Sequence, residues 1–175
     1  SMDNNMHGEQ ENLPYPDPEE LTENPALIKI IAPAYAGLES ELSAILQYVY
    51  QHIIFENLGL DEYAEILLNI SITEMKHMEL LGSAILNLGA LPIYTALPPC
   101  PVNFYSSRCV SRSHTPEKMI LDDIAAERKA IAEYTKMLCE LQDEKLAALI
   151  QRIRMDEELH LRTFERIFRE LTEKN

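Results

Sequence analysis

The hexapeptide ITEMKH, residues 72–77, places an acid and an imidazole three positions apart inside an otherwise apolar helical pattern. Glu74 and His77 fall on the apolar stripe of this segment, where a helix is expected to contact a core. The segment predicts a long helix over about 61–89. Its two polar side chains need a physical reason to occupy positions where leucines are expected.

Length and composition predict one compact domain. The chain has 175 residues, 46% hydrophobic residues and a formal net charge of −14. A nucleic-acid partner is excluded because binding a phosphate backbone needs a cationic face. Apolar stretches fall short of the roughly 20 residues that a membrane helix requires, and the polar N-terminus does not resemble a signal peptide. We therefore expect a cytoplasmic protein without a membrane partner.

Helix start and stop signals predict an N-terminal arm followed by four helices. Residues 1–24 carry prolines and acids without periodicity and predict an extended or flexible arm, and residues 25–172 form the bundle. Proline at a first helical position, Asp as a cap and Gly past a helix end mark the boundaries. The predicted helices run from Pro25 to about residue 57, from Asp61 to Gly89, from Pro116 to about residue 141, and from Asp143 to about Leu171.

Connection lengths predict the topology. The first and third links are a few residues long and predict antiparallel hairpins. The middle link, residues 90–115, can extend ~85 Å at about 3.3 Å per residue. That is ample to run the length of helices of ~40 to 50 Å. An all-α four-helix bundle with one long crossover between the second and third helices is therefore expected.

Each predicted helix interrupts its apolar stripe with one inward glutamate, and the second and fourth add a histidine three residues later. On the fourth helix, facing selects Glu157 rather than its neighbour Glu158 as the inward acid. The candidate metal-ligating residues are Glu41, Glu74, His77, Glu127, Glu157 and His160.

The acids also lie at one predicted height in the bundle. Glu41 and Glu74 are equidistant from the turn near residue 57, and Glu127 and Glu157 are equidistant from the turn near residue 142. Antiparallel neighbours that are equidistant from their turn lie level. Independent surface acids have no reason to obey both relations, so the four carboxylates are expected to converge.

Convergence of four buried carboxylates predicts bound cations. Burying even one unpaired carboxylate costs several kcal/mol, and clustered like charges cost more. Two divalent cations balance four carboxylates and leave neutral imidazoles to complete the coordination. Carboxylate and imidazole ligands without thiolate favour iron or manganese over a structural zinc site.

The combined pattern resembles the ferritin-like di-iron carboxylate superfamily over about residues 26–171. ESELSAILQYVYQ, residues 39–51, and EMKH, residues 74–77, are similar to bacterioferritin segments, and DIAAERKAIAEY, residues 123–134, is similar to rubrerythrins and small manganese-catalase-like coat proteins. The resemblance implies a ferritin-like bundle with two iron ions held by the six candidate residues. It leaves open whether Glu74 and Glu157 are bridging or terminal ligands.

Several neighbours of these residues are candidates for supporting roles. Tyr48 and Tyr134 each follow the first glutamate of their half by seven residues and are candidates for hydrogen bonds to ligating carboxylates. Asp123 is a candidate acceptor for the free N–H of a ligand histidine. By resemblance, Met75 aligns with the methionine that holds haem between bacterioferritin subunits. Haem is not expected, because a methionine next to a buried glutamate ordinarily packs.

The expected function is that of a di-iron oxidoreductase that reacts with O2 or hydrogen peroxide. One alternative keeps the fold and uses two manganese ions to disproportionate hydrogen peroxide. The other is a non-catalytic iron-storage or coat protein. The sequence leaves the electron donor open. A homo-oligomer is expected, with a dimer favoured over a 24-subunit cage because the chain ends four residues after Leu171, without a fifth helix.

Overall fold

The computed structural model describes residues 8–174, and its secondary structure is almost entirely helical. The first seven residues of the predicted arm lie outside this range. The predicted all-α bundle with a long crossover is confirmed. The α-helices are α1 (Ile28–Ala36), α2 (Glu41–Asn57), α3 (Asp61–Leu88), α4 (Pro116–Glu140) and α5 (Glu144–Glu173), and short 3-10 turns occupy Pro18–Glu20, Pro25–Leu27 and Ser107–Cys109.

The first predicted helix is wrong in one respect, because it is broken into α1 and α2. Pro33 lies inside α1, and the N–H of Gly37 donates to the Pro33 carbonyl as that helix ends. Ser40 then caps α2, its hydroxyl accepting a 3.4 Å hydrogen bond from the N–H of Ser43. The break separates a short apolar helix from α2, whose first residue is Glu41.

Local signals fix the other helix ends as the sequence predicts. Gly89 follows α3 with a φ of 122°, a backbone conformation that residues other than glycine rarely adopt. Asp143 caps α5, with its Oδ1 accepting a 2.8 Å hydrogen bond from the N–H of Leu146. The long helices α3 and α5 can therefore hold their Glu-x-x-His pairs far from frayed ends.

The crossover, residues 90–115, is tied to the bundle through α2. Gln47 accepts a 3.0 Å hydrogen bond from the N–H of Ser111 and donates one of 2.8 Å to Asp123 of α4. The hydroxyl of Ser43 contacts that of Tyr105 at 2.8 Å. These side chains fix the crossover over the gap between α2 and α4.

The apolar core consists of two clusters, one on each side of the level where the acids lie. One cluster gathers α1, the C-terminal half of α3 and the N-terminal half of α5. The other gathers the C-terminal half of α2, the start of α3 and of α4, and the end of α5. Glu74 and Glu157 therefore occupy a polar layer between two dry layers. Among the described residues, no helix is long and apolar enough to cross a membrane.

Candidate metal centre

The structure brings the six candidate residues together in the interior of the bundle. Their exposed fractions lie between 0 and 4%, although all six side chains are polar or charged. The choice between adjacent acids on α5 is also resolved by burial. Glu157 is 2% exposed, whereas the Glu158 side chain is 47% exposed and lies near Arg154. The residues concerned are Glu41, Glu74, His77, Glu127, Glu157 and His160.

His77 directs its Nδ1 atom at three of the glutamates. The atom lies 3.0 Å from Glu157 Oε1, 3.4 Å from Glu74 Oε2 and 3.7 Å from Glu41 Oε1. Glu74 is on the same helix as His77, while the other two acids come from α2 and α5. One nitrogen and three carboxylates from three helices therefore face a common point.

His160 of α5 faces three glutamates in the same way, next to the His77 group. Its Nδ1 atom lies 2.7 Å from Glu74 Oε1 and 3.8 Å from both Glu127 Oε1 and Glu157 Oε1. The two imidazole rings are 6.2 Å apart between centroids and nearly parallel, at 29°. The cluster thus has two halves, each with one histidine.

These contacts form two groups that can each hold a metal ion. Within each group one ligand atom from every residue lies within 4.8 Å of the others. Glu74 and Glu157 belong to both groups, whereas each histidine and each remaining glutamate belongs to one. The groups are Glu41, Glu74, His77, Glu157 and Glu74, Glu127, Glu157, His160.

Unsatisfied polar atoms show that the cluster fits cations. Buried polar groups nearly always have a hydrogen-bond partner, because leaving one unpaired costs about 1–3 kcal/mol. Here six buried atoms of the cluster have no hydrogen-bond partner among the described residues. Both histidines donate from Nε2, so the short contacts of Nδ1 with carboxylate oxygens bring two acceptors together. The six atoms are Glu74 Oε1 and Oε2, His77 Nδ1, Glu127 Oε2, Glu157 Oε1 and His160 Nδ1.

Without cations the cluster resists ionisation. Burial, followed by the charge of Glu41, raises the pKa of Glu74 well above its usual value. Burial and neighbouring carboxylates likewise raise the pKa values of Glu127 and Glu157. Burial opposes ionisation of Glu41 too, but the interactions of its carboxyl with Glu74 and with the nearby His77 hold its pKa below the usual value. The acids therefore share protons when no metal neutralises them.

Two tyrosines bind the outer carboxylates from opposite helices. Tyr48 of α2 donates a 2.5 Å hydrogen bond to Glu127 Oε1 of α4, and Tyr134 of α4 donates to Glu41 Oε1 of α2. Burial and the adjacent carboxylates raise the pKa of both phenols well above the usual value, so the hydroxyls keep their protons. These two reciprocal hydrogen bonds between α2 and α4 fix the orientation of Glu127 and Glu41 in the same way.

The outward nitrogens of the histidines have partners that the sequence analysis missed. The Nε2–H of His77 donates to Asp156 Oδ2 at 2.8 Å, and that of His160 donates to the backbone carbonyl of Glu9 at 2.6 Å. Asp123, the residue considered for this role, instead accepts from Gln47 on its own side of the bundle. Burial raises the pKa of Asp123 to about 8.

A cavity of about 860 Å³ connects the cluster with the surface. It lies between α2 and α4, and residues 108–112 of the crossover line its outer part. Its inner end reaches Glu41, Glu127 and Glu157 together with both tyrosines. On α4, the small side chain of Ala130 lines the cavity and leaves the passage open beside the carboxylates.

The bundle and its buried carboxylate–imidazole cluster together define a dimetal carboxylate fold. A family model described as a ferritin-like domain matches residues 36–173, and the chain belongs to that family. The bacterioferritin of Mycobacterium leprae is 32% identical over 127 residues, which cover 71% of this chain and 74% of the relative.

Solved structures agree with the assignment. A bacterioferritin from Desulfovibrio desulfuricans, whose diiron site was determined in different catalytic states, superimposes with a TM-score of 0.73 at 26% identity and covers 85% of this chain and 81% of its own. KatB, a manganese catalase from Anabaena, has a TM-score of 0.75 at 20% identity over 93% of this chain and 80% of its own. At that identity the second likeness establishes the fold alone.

The raised carboxyl pKa values predict how the metal-free protein responds to pH. Since Glu74, Glu127 and Glu157 titrate above their usual value of 4.5, the folded state retains protons that the unfolded chain releases. Their contribution to stability is present below about pH 4.5 and is lost as the pH rises. The raised pKa of His77 acts in the same direction above its usual 6.5. Thermal unfolding of metal-free protein should therefore show a melting temperature that falls from about pH 5 to pH 8.

Two groups with lowered pKa values do not reverse this slope. The pKa values of Glu41 and Asp156 are held below 4.5 and 3.8, so their contributions are lost only in more acidic solution. Glu157→Gln should flatten the decline, whereas Glu158→Gln on the exposed side should leave it unchanged. A melting temperature that stays level or increases over this range contradicts the shared-proton description.

Proposed function

We propose that this protein is a dinuclear iron oxidoreductase that reduces O2 or hydrogen peroxide. The proposal rests on one observation above all: two groups of buried ligand atoms share Glu74 and Glu157. Two cations placed in these groups neutralise the four carboxylates. Glu74 and Glu157 would each serve both ions, whereas Glu41 and His77 would serve one ion, and Glu127 and His160 the other.

The side chains around the centre divide the work. A bound iron pair supplies the electrons and the Lewis acidity for reducing the oxidant. Tyr48 and Tyr134 orient the terminal carboxylates and hold a proton on each phenol oxygen beside them. The two apolar clusters exclude bulk water above and below the polar layer. The cavity between α2 and α4 gives a small oxidant access to Glu127 and Glu157.

The donor set and the relatives favour iron. Carboxylate oxygens and imidazole nitrogens, without thiolate, suit both iron and manganese. The curated relatives at 32 and 34% identity are bacterioferritins, and the Desulfovibrio structure at 26% identity has a diiron site. The manganese catalase resembles this chain only at the level of fold. Iron is therefore the metal that we propose.

The deciding experiment combines metal analysis with two reactions. Protein purified with its native metal should contain two iron ions per chain. After reduction under nitrogen it should consume O2 or peroxide stoichiometrically, with an absorbance change of the oxidised centre. It should release no O2 from hydrogen peroxide. Two manganese ions with vigorous release of O2 would instead establish peroxide disproportionation, and iron accumulating without limit in a large particle would establish storage.

Oligomeric state and haem remain expectations. We expect a homo-oligomer with a dimer favoured over a cage. Met75 lies on the outside of α3 and is 54% exposed, so it is not a core residue as its neighbour Glu74 is. Leu46 and Ile53 of α2 are exposed as well, seven residues apart and hence on one helix face. The expectation that Met75 does not bind haem stays a prediction.

A further inference from the structure

The N-terminal arm contacts the outer side of the metal centre. Residues 9–15, named the strap, contain no helix and lie against α3 and α5. The N–H of Glu9 donates to the carbonyl of Asn69 on α3 at 3.3 Å. Arg152 of α5 donates to the carbonyl oxygens of Glu11 and Leu13 at 2.8 and 2.9 Å. The strap is therefore fixed through its backbone to both helices that carry Glu-x-x-His.

Asp156 joins the strap to His77. Its Oδ1 accepts from the N–H of Glu11 and from Arg152, both at 2.7 Å. Its Oδ2 accepts from the Tyr15 hydroxyl at 2.5 Å and from His77 Nε2 at 2.8 Å. Four donors thus occupy the four acceptor sites of one carboxylate, and two of the four come from the strap.

Tyr15 also packs against the groups that it connects. Its ring lies edge-on to His77, with centroids 6.1 Å apart, and the guanidinium of Arg152 lies 4.2 Å from the centre of its ring. His160, the second histidine, donates to the strap directly through the carbonyl of Glu9 at 2.6 Å. The outward nitrogens of both histidines therefore donate to the strap, directly at Glu9 or through Asp156.

We infer that the strap is a positioning element for metal binding, with Tyr15 as its principal side chain. It holds the proton of His77 and His160 on Nε2 and so presents both Nδ1 lone pairs to the metals. The inference rests on the metal site of the proposed function and extends it to a segment outside the four helices of the bundle.

The physical reason is the two-sided chemistry of imidazole. A neutral ring that donates from Nε2 must leave Nδ1 free to ligate, and the hydrogen bond also fixes the ring plane. A cation at Nδ1 in turn polarises the ring and strengthens the bonds from Nε2 to Asp156 and Glu9. Coupling of this kind is reciprocal, so metal binding and docking of the strap must stabilise each other by the same factor.

Tyr15→Phe tests the inference, with Tyr63→Phe as the matched control. Tyr63 also donates to an acid of α5, at 2.8 Å to Glu170, but lies far from the centre. In manganese(II) titrations of metal-free protein, Tyr15→Phe should still bind two ions per chain with roughly 10-fold lower affinity. Tyr63→Phe should bind as tightly as the wild type. Equal affinity of Tyr15→Phe and wild type, or an equal loss in Tyr63→Phe, overturns the inference.

A proteolysis assay on the full chain measures the coupling from the other side. A glutamate-specific endoproteinase can cut the strap after Glu9 and Glu11. Saturation with manganese(II) should slow this cleavage roughly 10-fold in the wild type and less in Tyr15→Phe. Cleavage at one rate with and without metal overturns the inference.

The outcomes separate the inference from the proposed function. Metal uptake by the wild type without reduction of O2 or peroxide contradicts the proposed reaction alone. Equal metal affinities and equal cleavage rates contradict the role of the strap alone. A wild-type chain that takes up no metal contradicts both.

Discussion

Replacing Glu157 by Gln is expected to abolish dinuclear metal binding and, with it, reduction of the oxidant. Glu157 Oε1 lies 3.0 Å from His77 Nδ1 and 3.8 Å from His160 Nδ1, so its carboxylate serves both halves of the cluster. The neutral amide keeps the volume and removes the charge. The loss of affinity should exceed the roughly 10- to 100-fold that supporting hydrogen-bond partners of metal ligands cost. Metal content after dialysis and single-turnover oxidation measure it.

The matched control is the next residue of the chain. Glu158→Gln makes the same chemical change on the same helix, one position away, on a side chain that is 47% exposed. It should retain two metal ions and full reactivity. The stability of the metal-free protein provides a second comparison. Metal-free Glu157→Gln should be as stable as the metal-free wild type or more stable, because it removes a buried acid from a crowded cluster. Retention of two tightly bound ions by Glu157→Gln would contradict the assignment of Glu157 to both metal groups.

Loading with metal is expected to raise thermal stability by a large amount. Each site filled at 100 times its dissociation constant adds about 2.7 kcal/mol, so two sites add about twice that. For a chain of this size, the melting temperature should rise by ~10 to 20 °C. The gain should increase with pH, since the carboxyls of Glu74, Glu127 and Glu157 then hold fewer protons that metal must displace.

Calorimetry of metal-free and manganese(II)-loaded protein under nitrogen provides the measurement. The double variant Glu74→Gln and Glu157→Gln removes both shared carboxylates and should show no rise at the same metal concentration. A rise of equal size in the double variant would place the stabilising ions elsewhere on this acidic protein. No rise in the wild type would contradict occupancy of the cluster.

Helical periodicity explains why the six clustered residues could be selected from the sequence. The side of an amphipathic helix on which a residue lies follows from the apolar residues three and four positions away. The height of Glu74 or Glu157 along the bundle follows from its distance to the nearest turn. The two turns had local signals in Gly59, which has a φ of 73°, and in Asp143, which caps α5. Facing and height together are enough to bring side chains from four helices to one level.

The strap and its partner Asp156 could not be predicted in this way. Residues 9–15 have no periodicity, and their contacts with α5 span about 140 positions of sequence. Asp156 directly precedes Glu157, so the helical pattern gave it no inward role. Its i,i+4 spacing from Arg152 is a sequence signal for an ion pair on that face of the helix, and the structure contains this pair. The histidine partner was sought at Asp123, which faces Gln47 instead.

Local residues signalled the break between α1 and α2, although the apolar pattern continued across it. Leu38 continues the apolar stripe in register across residues 37–40, so the pattern predicted one helix. The helix continues past Pro33 and stops at Gly37, whose backbone is extended, because glycine weakens a helix and Ser40 caps the start of α2. The N-terminus of α2 is thereby placed beside the polar layer, with Glu41 in its first turn.

Anomalous diffraction at the iron and manganese edges, from crystals of protein purified with its native metal, tests the dinuclear centre most directly. Two peaks per chain that appear at the iron edge, within reach of both Glu74 and Glu157 and each beside one histidine Nδ1, are the predicted result. Density without anomalous signal between these carboxylates, or ions bound only at the surface, would contradict it.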